Sequence, residues 1–342
     1  MTVRKPIVRV QGPRTANLVP VWGDAFVSAH IHDATAHDSD TATLVFSVRR
    51  PFPSIPTGTR YEILIGWQAT ALAKTGVYTV QRVALEGEPQ SGHLLRLECR
   101  AADLADGAKS VDSAHWDDAT FGTIVADMAR KMGLTAMVDP ALASIRIPYR
   151  ARIAQEASDF LSQLADDVGG AVKVAGGKVI VTRRGSGRSA SGTSLPTLVA
   201  TYDLCYRFAF DFDPRGTDAE SIAEWWDEQA GTWRRERDEG RGKGRTGRPH
   251  PWPSRTEARR GARARRRDRA RSSAVGRVEM PGDPAAVAGC PVRVQGFGAD
   301  ADGTPWIAES IDHDIDPEGG WIMTVNLEPQ DGQEEVDTDD DD

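Results

Sequence analysis

Apolar and polar positions alternate in the same way through two widely separated stretches of the chain. The first stretch contains the runs Gly58–Gly66, Gly76–Val83 and Gly92–Cys99. The second contains Gly289–Gly296, Gly303–Ile311 and Gly320–Leu327. In each, a glycine precedes a short alternating run, and this happens three times in succession. Tyr78 answers Trp306, and Val83 answers Ile311. A period of two is that of a strand with one buried face. Two copies of one β module in a single chain predict that the chain fills two equivalent positions in a larger ring.

The surrounding pattern extends the first β region over residues 1–105. Phe26–His32 and Thr43–Val48 read as strands, and clusters such as Pro51–Pro56 punctuate them. Several short strands separated by turns suggest a small barrel or sandwich. Near residue 110 the period changes. Phe121, Ile124, Val125, Met128, Ala129 and Met132 fall on one helical stripe, with Asp117 or Asp118 as the expected cap and Gly133 as the stop. A second stripe runs through Ala157, Phe160, Leu161, Leu164, Ala165 and Val168 and ends at Gly169 and Gly170. Ala171–Val174 and Lys178–Val181 then form a hairpin. Residues 110–184 are therefore expected to be a compact α/β module.

Beyond it, residues 185–197 have the composition of a flexible linker. Leu198–Tyr202 and Tyr206–Phe212 resume β alternation. Ala230–Pro253 lacks an apolar face and reads as a mobile loop. Ser254 or Thr256 then caps a helix whose apolar positions are nearly all alanine, a composition suited to close packing on a sheet. The second β copy follows to about residue 330.

Composition narrows the class. The chain has 342 residues, enough for two or three cores, and its 39% apolar and 27% charged residues are ordinary for a folded protein. No apolar run is long enough to span a membrane. The start, MTVRKPIVRV, has no apolar core of the kind a secretion signal needs. Cys99, Cys205 and Cys290 are too scattered for a disulfide framework or a metal knuckle, and are expected to be reduced and buried. The net charge of -8 argues against general nucleic-acid binding, but residues 234–271 hold 16 Lys and Arg against 5 acids. The acidic end, residues 333–342, is expected to be a disordered tail.

The candidate chemistry is sparse. His30 and His32 share a strand face, with His37 nearby, but no cysteine or carboxylate pair completes a metal site at a recognised spacing. The adjacent pairs Asp117/Asp118 and Asp166/Asp167 suit caps and solvent better than acid–base work. No phosphate-binding loop, nucleophile elbow or zinc-protease signature occurs. No catalytic residue, cofactor or metal is therefore expected. The basic helix, with Trp233 and Trp252, is the best candidate for nucleic-acid contact. An Arg-rich face that meets acidic neighbours is the favoured alternative, because the segment lies between the strands of a β domain. Trp67 and Trp321, in or beside the repeated strands, are candidate interface anchors, as are Arg263, Arg265 and Arg266. For Tyr78 and Trp306 a core role is expected.

Several short stretches, in order, carry a resemblance. They include Ser39-Asp40, Tyr78–Val80, Arg100–Leu104, His115–Ile124, Gly133–Thr135, Asp139–Ser144 and Ser158–Ala165. They continue with Ser254–Ala270, Pro281–Pro284, Ala288-Gly289 and Trp306–His313. Together they resemble the phage late control gene D proteins, the tail hubs of contractile-tailed phages. The resemblance covers about residues 5–330. It implies an α+β, mainly β fold: a first tube-like β-barrel over 1–107, an inserted α/β domain over 108–184, the 185–197 linker, and a second barrel over 198–332. It implies a homotrimer that presents six barrels to a tail tube ring above and a threefold spike below, with baseplate wedge and tape measure proteins as further partners. The expected place is the virion baseplate, after assembly in the bacterial host cytoplasm. Trp225–Trp233 departs from the family pattern, which has a strand pair there. The competing expectation is a wall-acting or glycan-binding module at 110–184.

Overall fold

The computed structural model describes residues 5–12, 25–35, 39–88, 92–101, 111–213, 220–238, 245–247 and 251–330. His37 and the acidic tail lie outside these residues. The first β unit comprises β1 (Pro6–Gln11), β2 (Phe26–Ala34), β3 (Thr41–Ser47), β4 (Arg60–Trp67), β5 (Ala73–Glu88) and β6 (Gly92–Arg100). The second comprises β12 (Leu198–Thr201), β13 (Arg207–Phe212), β17 (Ala274–Pro281), β18 (Pro291–Gln295), β19 (Trp306–Asp316) and β20 (Gly320–Pro329). The fold is mainly β, with few helices.

The repeat seen in the sequence is a repeat of topology. In the first unit the strands lie in the order β1-β4-β5-β6-β3-β2, and in the second β12-β18-β19-β20-β17-β13. Counted within each unit, the order is the same: first, fourth, fifth, sixth, third, second. The hairpins agree in register as well. Thr79 faces Arg100 where Ile307 faces Glu328, and Val83 faces Leu97 where Ile311 faces Val325. Both carry a bulge at the same place, between Val80 and Arg82 and between Ala308 and Ser310. One difference is that β1 pairs antiparallel with β4, whereas β12 pairs parallel with β18.

The two units share one twelve-stranded sheet, joined where β2 pairs antiparallel with β19. Among the described residues no sheet closes on itself. The alternation buries one face of each strand, as with Tyr61, Ile63 and Ile65 on β4 and Leu95, Leu97 and Cys99 on β6. Ile315 and Trp321 of the second unit belong to the core of the first, so the core crosses the join.

Between the units stands the α/β module. It holds β7 (Val111–Thr120), α1 (Phe121–Lys131), β8 (Thr135–Val138), α2 (Pro140–Ala143), β9 (Arg146–Glu156), α3 (Ala157–Asp166), β10 (Gly170–Ala175) and β11 (Lys178–Arg183). The apolar stripes of α1 and α3 face a core of their own with Val172, Val179 and Val181. Gly176 and Gly177, both at positive φ, make the two-residue turn between β10 and β11. The α1 cap is Thr120, whose hydroxyl accepts from the Thr123 N–H. Asp117 and Asp118, expected as caps, instead sit on β7, which pairs with β9.

Two segments are more ordered than their composition suggests. Residues 185–197 form a turn in which the Ser189 N–H donates to the Thr193 carbonyl, and Leu195 packs against the second core. Residues 230–253, read as a mobile loop, hold β15 (Thr232–Asp238) and β16 (Arg245–Gly247), both paired to β14 (Glu220–Asp227), so Trp225–Trp233 does carry a strand pair. Trp226 and Trp233 face each other across β14 and β15 with ring centres 4.9 Å apart. Cross-strand aromatic contact of this kind stabilises a hairpin whose β15 strand is otherwise polar.

The basic segment is the helix α4 (Arg255–Arg271), and α5 (Ala299–Gly303) follows before β19. Ser254 caps α4 by accepting from the Glu257 N–H, and its hydroxyl donates to the Glu257 carboxylate. Ala258 and Ala262 are buried against Ala223 and Trp252. A Cβ on Gly261 would meet the Trp252 ring at 2.1 Å, so glycine is what permits this close approach. No helix among the described residues is long and apolar enough to cross a membrane.

Candidate functional site

The chemistry-bearing residues converge on the join between the β units. Pleating puts alternate residues of β2 and β19 on opposite faces. On the outer face, His30 lies opposite Asp314 and His32 opposite Asp312, each through Nδ1 at 2.7 Å from the carboxylate. These two histidines therefore bridge strands. Hydrogen bonding to Asp314 raises the His30 pKa. On the inner face, Ala29, Ile31, Ile311 and Ile315 are buried.

His313 shares that inner face and is 3% exposed. Its Nδ1 lies 3.2 Å from the Trp321 indole Nε1, which donates to it. Burial holds its pKa down at about 4, so the ring is neutral and can accept that bond. Trp321 packs against Trp67 with ring centres 5.1 Å apart, and the Trp67 indole donates to the Gly282 carbonyl at 2.8 Å. A Cβ on Gly282 would come within 2.0 Å of the Trp321 ring. The structure thus brings Trp67 and Trp321 together within one chain, and Trp321 is buried there.

The α/β module is fastened to the same join by an ionic cluster that has no sequence signature. Lys173 on β10 lies 2.6 Å from Asp33 on β2 and 2.7 Å from Asp40. Asp33 also accepts from the Ala288 N–H, in the segment leading into the second unit. Burial opposes ionisation of Asp33, but the Lys173 ammonium and the Ala288 N–H outweigh it and hold the pKa low. Burial, with the neighbouring Asp33 charge, pushes Asp40 up to about 6. One lysine thus ties three parts of the chain together.

The basic helix meets acids of its own chain. Arg184 bridges Asp166 at 3.0 Å and Asp268 of α4 at 3.3 Å. Arg271 is buried and lies 3.7 Å from Glu328, and Arg255 lies 2.9 Å from Glu236. Arg263, Arg265 and Arg266 are half-buried and engaged. Arg265 lines a cavity of about 260 Å³ between α3 and α4, together with Asp166, Asp167, Arg184 and Asp268. The structure therefore does not bring the three arginines to the tryptophan pair. Cys99 and Cys290 are buried, Cys205 is half-buried, and all three are free.

Among the described residues the sheet has open edges at β1, which pairs with β4 alone, at β12, which pairs with β18 alone, at β13 and along the late half of β5. Among the described residues, strand β13 pairs with β17 alone, and residues 82–88 of β5 pair with β6 alone. Aromatic side chains gather on β13 and beside it: Phe208, Phe210, Tyr202 and Phe297 form a chain of edge-on contacts that reaches buried Trp306.

This arrangement of two like β units around an inserted module has known counterparts. The chain resembles phage baseplate hub proteins. It is 33% identical over 163 residues to the probable baseplate hub protein of Escherichia phage P2, which covers 48% of this chain and 41% of the relative. It is 28% identical over 205 residues to that of Escherichia phage 186, covering 60% of this chain and 52% of the relative. The match thus spans about half the length of these relatives. No family model matches. The fold is shared with a 43 kDa tail protein of prophage MuSo2 from Shewanella oneidensis, at TM-score 0.66 and 14% identity over 95% of this chain and 98% of that one. A tail protein from Neisseria meningitidis gives 0.66 and 14%, over 95% and 96%. An E. coli component of the type VI secretion system gives 0.60 and 10%, over 95% and 77%.

Proposed function

We propose that the chain is a structural hub of a contractile phage tail baseplate, a homotrimer that adapts a sixfold tail tube to a threefold spike without catalysing a reaction. The observation that carries this reading is the repeated β unit, with one strand order, one hairpin register and one bulge position in both copies. Three chains would present six such units in a ring, and barrel closure would belong to that ring. The inserted module and the Arg-rich helix break the sixfold likeness and mark one unit of each chain as different. A threefold spike can read that difference. The similarity to probable baseplate hub proteins supports the reading, as does the fold shared with tail proteins. The tail tube above, the spike below and a place in the virion follow from the same reading. Native mass measurement of the full chain tests it: the expected species is three times 37.1 kDa. A chain that stays monomeric at high micromolar concentration removes the proposal.

A further inference from the structure

The internal join is a template for a contact that the single chain leaves unmade. Within the chain, the second strand of the first unit, β2, covers the late half of the fifth strand of the second unit, β19. The corresponding strands elsewhere are β13, the second strand of its unit, and the late half of β5, the fifth strand of its own. Both have an open edge among the described residues. We propose that β13 of one chain pairs antiparallel with the late half of β5 in a second copy of the chain. This deepens the trimer reading above and rests on it.

Superposing the ladders fixes the register. The shared bulge places Arg82 where Ser310 stands and Val83 where Ile311 stands. Pairing to β3 and β17, each matched through its partner β6 or β20, places Phe208 where Ala29 stands and Phe212 where Asp33 stands. The internal pairs Ser310–Ala34, Ile311–Asp33, His313–Ile31 and Ile315–Ala29 then become Arg82–Asp213, Val83–Phe212, Leu85–Phe210 and Gly87–Phe208.

The side chains suit this register. At the internal join the inner-face positions Ala29, Ile31, Ile311 and Ile315 are at most 2% exposed. At the two open edges the same inner-face row is carried by Val83, Leu85, Gly87, Phe208, Phe210 and Phe212; Leu85 is 48% exposed, Phe208 45% and Phe212 40%, while Val83 and Phe210 are half-buried. Strand pairing would set these two apolar rows side by side, against one core face. At the rim, Arg82 meets Asp213, opposite charges at directly facing positions. Gly87 opposite Phe208 leaves room for the ring. An open, apolar strand edge is a template for another strand. Each chain offers β13 and receives on β5, so the contact is head-to-tail, of the kind that generates a ring when its rotation closes.

Cysteine cross-linking of the full chain tests the seam. Ala84 is expected to face Asp211 on the outer side, so the Ala84→Cys/Asp211→Cys variant, made in a Cys205→Ser background, should form a covalent trimer on mild oxidation. Facing Cβ atoms lie within disulfide reach, and diagonal ones lie beyond it. Ala84→Cys/Ala209→Cys, one pleat out of register, should therefore link roughly tenfold less. Each single variant controls for folding and for chance linkage. Arg82→Glu should lower the trimer fraction, and Arg82→Glu/Asp213→Arg should restore it. A trimer by native mass in which the thiol introduced by Ala84→Cys stays open to maleimide, or in which both registers link equally, overturns the seam and leaves the hub reading intact. Loss of maleimide protection until an added tail protein covers the edge assigns it to a different occupant and also overturns the seam. A chain that is monomeric throughout overturns both.

Discussion

The join inside the chain and the open edges of its sheet are built on one strand order, yet they are finished differently. At the join, the second strand carries Ala29, Ile31 and Asp33; at the edge, its counterpart carries Phe208, Phe210 and Phe212. Asp33 is committed inward: it takes Lys173 from the α/β module and the Ala288 N–H. Phe212, in the matching place, has no such duty and stands exposed. A small or charged residue suffices where the rest of the chain supplies the cover. A large apolar one is suited to a place where cover comes from outside, since burying it contributes about 1.5–3 kcal/mol. The difference distinguishes a finished contact from a prepared one.

The largest expected effect breaks the finished side. Lys173→Ala would leave the buried Asp40 and the half-buried Asp33 without their cation, and chemical denaturation should show a loss of about 3 kcal/mol or more. Phe212→Ala in the unassembled chain should cost less than about 1 kcal/mol, because the ring is partly in water already. Equal losses would erase the distinction between the two sides.

Acid should act next, through His313. Its pKa is about 4 in the folded chain and ordinary when unfolded, so the unfolded state takes up the proton first. Its contribution is complete above about pH 6.5 and is lost as pH falls toward 4. His313 alone accounts for about 2.5 kcal/mol of loss on going from pH 8 to pH 4.5, offset in part by Asp40, whose pKa of about 6 adds stability as it protonates, so the effect is read as the difference between the native and His313→Gln denaturation profiles. A variant with an unchanged profile would place the acid sensitivity elsewhere.

Gly282→Ala probes the same join by crowding. The added methyl would meet the Trp321 ring, and displacing it should cost about 1–3 kcal/mol in thermal or chemical unfolding. The change should also shift Trp321 fluorescence, while an equivalent change at the solvent-facing Gly176 would not.

The smallest effect is expected on the outer face. His30 is half-exposed, so its pair with Asp314 should contribute no more than about 0.2–1 kcal/mol, less at high salt. Its pKa is raised, so this contribution is present below about pH 6.5 and is lost as pH rises through the folded value. The sign is opposite to that of His313, and His30→Ala should therefore steepen the net loss of stability in acid.

Much of this was readable from local pattern. The helix stripes of residues 121–132 and 157–168 face a core as their spacing implies, because a period of 3.6 is set by the helix itself. The alternating runs after Gly58, Gly76, Gly92, Gly289, Gly303 and Gly320 are strands for the same local reason. The Ser254 cap and the alanine face of the basic helix follow the sequence too. The misreadings have physical causes. Asp117 and Asp118 look like caps, but β9 supplies a pairing partner that takes them into a strand. Residues 230–253 show no apolar face because β15 is held by the contact of Trp233 with Trp226 and by pairing to β14, whose Ala223 packs on α4. Trp67 and Trp321 stand out as large aromatics, but nothing local tells whether such a residue meets its own chain or another.

The sequence by itself determined that there are two β units of one kind, a helical module between them and a basic helix in the second. Each depends on residues a few positions apart, whose geometry is fixed by backbone periodicity. Only the tertiary structure decided that the units share one sheet, that Lys173 finds Asp33 and Asp40, that the arginines of α4 meet acids from elsewhere in the chain, and that β13 and late β5 have open edges among the described residues. Those outcomes depend on pairs far apart in the sequence, such as Asp33 with Ala288. Such pairs are selected by packing and by the cost of leaving buried charge unpaired, and no local pattern encodes them.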